Sequence, residues 1–408
     1  METPPPSYRE ILRIRKFLYY FLSQATGDAG YAVYAIAIPW LALELSKSVF
    51  VVGLVIGVEF GIYALSFLIG PFVDRVHDLR TILLIGYPLQ AGLALLLGLF
   101  EQTGTLTVPI LLGLVIGISF VWDFTWTASN AIPPAIVPEG ALFRANGLTS
   151  AVSGGNQIAG YAAGAGLILI VGPSGAMFLY AGLNLLASVL SIAVTAPHSV
   201  PTSGSFLTEF REGWHYFVGG VARPLLQLSL FSSLEGFFSA TPTILLTIFA
   251  ATRFPNPSGA YGLLFTAFAL GGILGGLLLG QINPRRRIGW TMSVIALLEG
   301  ATLLAAVSVV PNLVGSLVAW FAVGIVEVGF YVTLVVFIQA TAPAPLLGRT
   351  LTNTYLLRGG SRSIGAVVIG ALVVSLGPLA LGHTVVIALL AVGLIGPLAF
   401  PVVRRMRF

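Results

Sequence analysis

Twelve apolar runs, each long enough to cross a bilayer as a helix, constrain this chain more than any other feature. A hydrocarbon core of about 30 Å takes about 20 apolar residues of helix. Between polar or Pro/Gly breaks the runs fall at roughly 14–45, 49–73, 80–101, 107–133, 141–171, 174–196, 223–251, 258–282, 287–308, 312–340, 346–376 and 379–402. The longer ones imply tilt or extension past the lipid. Composition agrees: 57% of residues are hydrophobic and 9% charged, whereas a soluble domain carries about 25% charged residues. The expected fold is an all-α integral membrane protein.

The basic residues orient the spans. Arg9, Arg13, Arg15 and Lys16 precede the first, Arg75 and Arg80 follow the second, and Arg144 precedes the fifth. Arg211 and Arg223 precede the seventh, Arg285, Arg286 and Arg287 follow the eighth, Arg349 opens the eleventh, and Arg404, Arg405 and Arg407 end the chain. All of these fall on one side of the bilayer, and only Lys47 and Arg253 fall on the other. By the positive-inside rule both termini are cytoplasmic. The basic pI of about 9.6 is thus a topology signal, and no nucleic-acid partner is expected. The proline-led N-terminus, "METPPPSYREILRIRKF", lacks the short apolar core and cleavage site of a signal peptide. With no cysteine and histidines only in loops or near span ends, no metal site is expected.

The chain repeats itself at an offset of 205 residues. "GGNQIAG" (154–160) falls on "GGSRSIG" (359–365), Arg144 on Arg349, Gly70 on Gly275, Arg80 on Arg285, and Pro138 on Pro343. Two six-span bundles of parallel topology follow, 1–196 and 223–408, joined by a cytoplasmic loop at 197–222; transporters are built from such repeats.

The loop after the second span reads "GPFVDRVHDLR". Through Gly70, Asp74, Arg75 and Arg80 it resembles the Gly-x-x-x-Asp-Arg signature of the major facilitator superfamily, and the resemblance extends over the whole chain. His77, Asp78 and Leu79 depart from the usual form, and the second copy, "GLLLGQINPRRR", has lost its acid. "GDAGYAVYAIAIPWLALELSKS" and "RANGLTSAVSGGNQIAG" look like the twelve-span drug and siderophore exporters, among them macrolide and enterobactin efflux proteins. Gly155, Gly160 and Gly164 match the antiporter spacing, with Tyr161 where proline is usual, and the family's span 4 arginine is absent. The resemblance implies the twelve-helix facilitator fold, with spans 1, 4, 7 and 10 lining a central cavity and span 2 packed on span 11. It places Asp74 near the N-terminus of span 11, whose positive end favours a carboxylate. Asp74, Arg75 and Arg80 are then gating residues. The glycines, with Gly360, Gly365 and Gly370, are expected to let helices approach closely.

Ionisable residues recur at mid-depth. At 1.5 Å per residue, Asp28, Glu59, Asp123, Glu235, Glu327, Arg358 and Arg362 all lie about 14–22 Å from the cytoplasmic edge. Charge there is expensive and marks function by default. Asp28, Asp123, Glu235 and Glu327 sit one each on spans 1, 4, 7 and 10. Ser119, Asp123, Trp126, Thr127 and Asn130 share one helical face, as do Gln24, Asp28 and Tyr31, and Glu327 with Tyr331; Trp122 adds an aromatic wall. Glu299, in span 9, is expected to be structural. For Arg358 and Arg362 two readings stand: an ion pair with Glu59 of span 2, or contact with an anionic substrate group or a coupling acid.

These residues point to a secondary transporter of a small molecule and not an enzyme, since no nucleophile–base constellation lies at membrane depth. With no nucleotide motif, an ion gradient supplies the energy and no cofactor is expected. The leading expectation is a monomeric proton-coupled exporter of a small amphipathic compound in the cell membrane. A carboxyl group out of water favours its protonated form, and a nearby guanidinium the ionised one, which lets proton and substrate compete. A proton-coupled organic-anion symporter and a lipid or lysophospholipid transporter or scramblase are the alternatives.

Overall fold

A computed structural model describes residues 7–138, 141–197, 223–279, 288–308, 312–341 and 347–400, with the single positions 215 and 218. Most of the linking loop, Arg285, Arg286, Arg287 and the C-terminal arginines lie outside the described residues, as do the surroundings of Tyr161 and Gly164. Among the described residues the regular elements are helices, as lipid requires of a chain that must satisfy its backbone internally.

The first half runs α1 (Tyr8–Arg13), α2 (Arg15–Ser46), α3 (Val49–Ala64), α4 (Gly70–Val73), α5 (Arg80–Gln102), α6 (Val108–Ala131), α7 (Pro133–Ile136) and α8 (Leu142–Ser191). The second runs α9 (Arg223–Phe238), α10 (Thr241–Arg253), α11 (Pro257–Leu279), α12 (Ile288–Ser308), α13 (Leu313–Thr341), α14 (Leu347–Leu376) and α15 (Pro378–Ala399). Among the described residues ten helical stretches are long and apolar enough to cross a membrane, α3 being a shorter apolar helix. Spans 5 and 6 follow each other within α8, broken at Gly172, whose φ of +70° interrupts the helix just before Pro173. That conformation costs glycine little and other residues more. Span 7 is likewise divided between α9 and α10.

A capping box starts α1. The Ser7 amide donates to the Glu10 carboxylate at 2.6 Å and the Glu10 amide to the Ser7 hydroxyl at 3.4 Å, satisfying two amides that a helix start leaves open. Those hydrogen bonds hold the exposed Glu10 carboxyl below its ordinary range. Ile11 is buried with Phe17, Tyr20 and Ala145, and the Arg144 guanidinium lies 5.9 Å from the Tyr8 ring.

The chain divides into two compact units: Met1–Leu41 with Leu65–Ser203, and Ala42–Ala64 with Gly204–Phe408. The first holds most of α2 with α5, α6 and α8. Its interior is tied by Gln90, which donates to the Thr125 hydroxyl at 3.0 Å and accepts from Tyr180 at 2.7 Å. In the second unit α11 packs on α13, α12 on α13 and α15, and α9 on α14. A division at the linking loop alone would have put α3 with the first unit. Its packing puts it with the second, because α3 runs along α14. A Cβ at Gly53 would meet the Ala366 carbonyl oxygen and one at Gly370 the Gly53 Cα at 3.0 Å. The Ser363 hydroxyl donates to the Gly57 carbonyl at 2.6 Å. The expected contact of span 2 with span 11 is therefore present.

Candidate functional site

In the first unit the acids sit on α2 and α6. Asp28 is half-buried and accepts a hydrogen bond from the Ser153 hydroxyl of α8. Nearby, the Asn156 amide donates to the Ala25 carbonyl at 2.6 Å. A water-sized cavity of about 20 Å³ opens beside Asp28, lined in part by Gln24, Gln90, Thr125, Trp126 and Asn184. Asp123 has no exposed surface, and neither carboxylate oxygen has a hydrogen-bond partner among the described residues. Tyr31 stacks on Trp122 with centroids 4.6 Å apart, and Trp122 on Trp126 at 6.0 Å. An aromatic face thus joins the two helices that bear Asp28 and Asp123. Ser119 is buried on this helix, but Asn130 is exposed and turns its amide back to the Trp126 carbonyl at 2.9 Å.

In the second unit Glu235 and Arg358 form a buried ion pair, with Nη2 2.7 Å from Oε2. Glu235 is fully buried and Arg358 is 8% exposed. Their backbones are brought together by Gly236 and Gly365. A Cβ on Gly236 would lie 3.2 Å from the Arg358 carbonyl oxygen, and one on Gly365 would strike the Phe237 carbonyl. The Arg358 guanidinium also lies 5.7 Å from the Tyr331 ring, within cation–π range. Tyr331 is partly exposed and meets Tyr355 hydroxyl to hydroxyl at 3.4 Å. Arg362 places its guanidinium 3.9 Å over the Phe60 ring of α3, one residue from Glu59, which is half-buried. Glu327 is half-buried, with one carboxylate oxygen unsatisfied among the described residues.

Of the two readings given for the arginines, Arg358 follows the second, pairing with the span 7 acid Glu235. Tyr355 was overlooked, and Glu299 was expected to be structural. Glu299 is 1% exposed, and neither carboxylate oxygen has a hydrogen-bond partner among the described residues. A lone acid in an apolar run was the available signal.

The two pairs correspond by helix, with the acids two residues out of the repeat register. Asp28 and Glu235 are the acids of spans 1 and 7, and Ser153 and Arg358 are separated by the repeat offset. The same contact between first and fifth helix is a hydroxyl–carboxylate bond in one unit and an ion pair in the other.

At the loop, Asp74 and Arg75 are exposed, and the Asp74 amide closes α4 by donating to the Gly70 carbonyl at 2.9 Å. Asp78 organises the turn. Its carboxylate accepts from the Arg80 amide at 3.1 Å and the Ala196 amide at 3.2 Å, and pairs with the Arg80 guanidinium at 3.3 Å. Arg80 also donates to the Ile192 carbonyl at 3.1 Å, at the C-terminal end of α8 where positive charge is favoured. Asp78, one of the residues that depart from the family signature, therefore helps tie this loop to span 6.

No curated protein sequence matches the chain. Its fold is similar to a bacterial homolog of the human lysosomal transporter Spinster in an inward-facing, unoccupied conformation, at 15% identity over 96% of each chain with a TM-score of 0.74. The peptide transporter POT in complex with sulfate aligns at 13% identity over 99% of this chain and 98% of its own, TM-score 0.75. The nucleoside transporter NupG aligns at 13% identity over 97% and 100%, TM-score 0.67. At these identities the likeness is one of fold. The sequence profile described as Major Facilitator Superfamily matches residues 20–366. With that match over most of its length and a wholly helical, multi-span fold, the chain belongs to the Major Facilitator Superfamily of membrane transporters.

Proposed function

We propose that the protein is a proton-driven exporter of a small amphipathic organic compound, working by alternating access in the cell membrane with both termini in the cytoplasm. The observation that carries this reading is the 2.7 Å ion pair between Arg358 and Glu235. An organic-anion symporter needs an arginine whose charge is open to the substrate, and Arg358 already has an acid partner. In the first unit Asp28 is met by a hydroxyl and Asp123 lacks a hydrogen-bond partner among the described residues, so these acids carry protons without an arginine to compete with. The Tyr31–Trp122–Trp126 face beside them suits a flat or amphipathic substrate, since aromatic rings bind apolar surface with little loss of side-chain freedom.

Purified protein in thermal-shift assays at two pH values, against drug, siderophore, lipid and carboxylate panels, tests the substrate class. Proteoliposomes with an imposed pH gradient test the coupling. Stabilisation by amphipathic drugs or siderophores, and their uphill movement against a proton gradient, is the expected result. Stabilisation by carboxylates alone would overturn export in favour of anion symport, and stabilisation by lipids alone would favour the lipid transporter.

A further inference from the structure

The densest basic charge among the described residues lies outside the candidate site, at the start of the chain. Between Tyr8 and Phe17 stand Arg9, Arg13, Arg15 and Lys16 against one acid, Glu10: four positive charges to one negative, a net of +3. All four cations are exposed, and none makes an ion pair among the described residues. The Glu10 carboxylate is occupied at the helix start, where it accepts from the Ser7 amide at 2.6 Å. Arg144, from the start of α8, adds a fifth positive charge 5.9 Å from the Tyr8 ring.

The backbone holds these charges in one place. Ile14 is extended, with φ −69° and ψ 104°, so α1 ends there and does not run on into α2. Ile11 and Leu12 of α1 pack into the cluster that holds Phe17, Tyr20 and Ala145. Arg9 and Arg13, four residues apart, share a different face of the same helix. From Arg15, α2 runs for 32 residues, about 48 Å at 1.5 Å per residue. A hydrocarbon core is about 30 Å thick, and about 40–45 Å with its headgroup layers. The ends of α2 therefore reach the headgroups, which sets Arg15 and Lys16 at the level of lipid phosphates and α1 next to them. The Arg15 guanidinium lies 5.7 Å from the Tyr19 ring, and tyrosine is favoured at that depth.

Anionic lipid is the occupant that this charge fits. Clusters of about four to eight basic residues just cytoplasmic of a span are drawn to negatively charged headgroups. A zwitterionic headgroup offers no net charge in return. A soluble acidic partner would have to displace a bilayer already in contact with α2.

We propose that α1 and the first turn of α2 form a docking surface for anionic phospholipid headgroups. Ile11 fastens α1 to the first unit, and the four cations fasten it to the phosphates. Lipid charge then sets how firmly this end of the unit is held, whatever the substrate. The surface goes beyond the transport reading and rests on its cytoplasmic placement of the N-terminus.

The chain has no cysteine, so Tyr8→Cys gives a single site for a fluorophore beside the four cations. With the full-length protein in nanodiscs at low salt, phosphatidylglycerol spin-labelled near its headgroup should quench that fluorophore at least about twofold more than phosphatidylcholine labelled in the same way. In 1 M salt, where the Debye length is about 3 Å, the two lipids should quench alike. Arg9→Gln, Arg13→Gln, Arg15→Gln and Lys16→Gln together should remove the preference. The set Arg9→Lys, Arg13→Lys and Arg15→Lys, which keeps the charge, should retain it. Melting temperatures in phosphatidylcholine separate lost docking from lost fold, and if the glutamine set does not fold, the salt series and the lysine set decide. Equal quenching by the two lipids at low salt would overturn the lipid surface and leave it to an acidic protein. A preference that survives the glutamine set or 1 M salt, or that the lysine set loses, would overturn it too. If the preference behaves as expected but protease added to intact cells removes an N-terminal tag, the docking surface stands and the cytoplasmic placement falls.

Discussion

Arg358 occupies in the second unit the position that Ser153 occupies in the first. Each meets an acid of the first span of its unit, Glu235 or Asp28, and only the second-unit contact is an ion pair, 2.7 Å long. Attraction and lost hydration nearly cancel in a buried pair, so its net contribution is small, yet removing one partner strands a charge. Glu235→Gln and Arg358→Gln should each cost about 3–5 kcal/mol, and the double substitution should recover most of that loss. Thermal unfolding in detergent, read as a double-mutant cycle, checks this. Additive losses would mean that the two side chains do not depend on each other.

Ser153→Arg converts the first contact into a copy of the second. The introduced guanidinium would hold Asp28 ionised, because an adjacent opposite charge favours the charged form. Proton-driven transport in proteoliposomes should fall to background while the folded yield is retained. Unchanged flux would show that Asp28 need not exchange a proton.

Asp28→Asn and Asp123→Asn should each abolish uphill transport down an imposed pH gradient and leave substrate binding measurable. Asp123 is the sharper case, since its carboxylate has no hydrogen-bond partner among the described residues to lose. Flux at wild-type rates in both variants would remove these acids from the coupling.

Gly365 and Gly360 provide a matched pair on α14. A Cβ at Gly365 would strike the Phe237 carbonyl, while one at Gly360 would find nothing within 4 Å. Gly365→Ala should destabilise by about 1–3 kcal/mol through overpacking, and Gly360→Ala should be neutral or stabilising by up to about 1 kcal/mol through helix propensity. Melting temperatures of the two variants should move apart, and a matching shift would refute the packing argument.

Asp78→Ala removes the carboxylate oxygen that accepts from two amides, and the partner of the Arg80 guanidinium, at the start of α5. A loss of about 0.5–2 kcal/mol is expected, the range of a helix-start cap, with faster amide exchange at Ala196. Unchanged exchange at Ala196 would remove Asp78 from its place as the link to span 6.

The spans were readable in the sequence because a bilayer forces long apolar runs, and the break at Gly172 falls between the runs at 141–171 and 174–196. The repeat offset likewise relates Ser153 to Arg358 before any coordinates. Position along each helix was legible too, since rise per residue is fixed. Direction around the helix axis was not. Glu59 and Glu235 come out at similar depth, and only the close approach of α9 to α14 at Gly236 and Gly365 brings Arg358 onto Glu235. The burial of Glu299 was hidden for the same reason: a helix outside the four expected to line the cavity can still turn one residue inward. Glycine density also predicted more contact than exists. Gly160 meets Ala32, but Gly155 and Gly360 face open space.

The packing of α3 along α14 sets a timetable for synthesis. Gly57 and Ser363 are hydrogen-bonded across 306 residues of chain. At about 5–20 residues per second, α3 waits about 15–60 s after leaving the ribosome before its partner is made. During that interval its small-residue stripe has only lipid or foreign helices to touch. A ribosome stalled between the two helices would therefore display a sticky, half-finished surface, and membrane chaperones and quality-control proteases would meet the nascent protein first at Gly53 and Gly57.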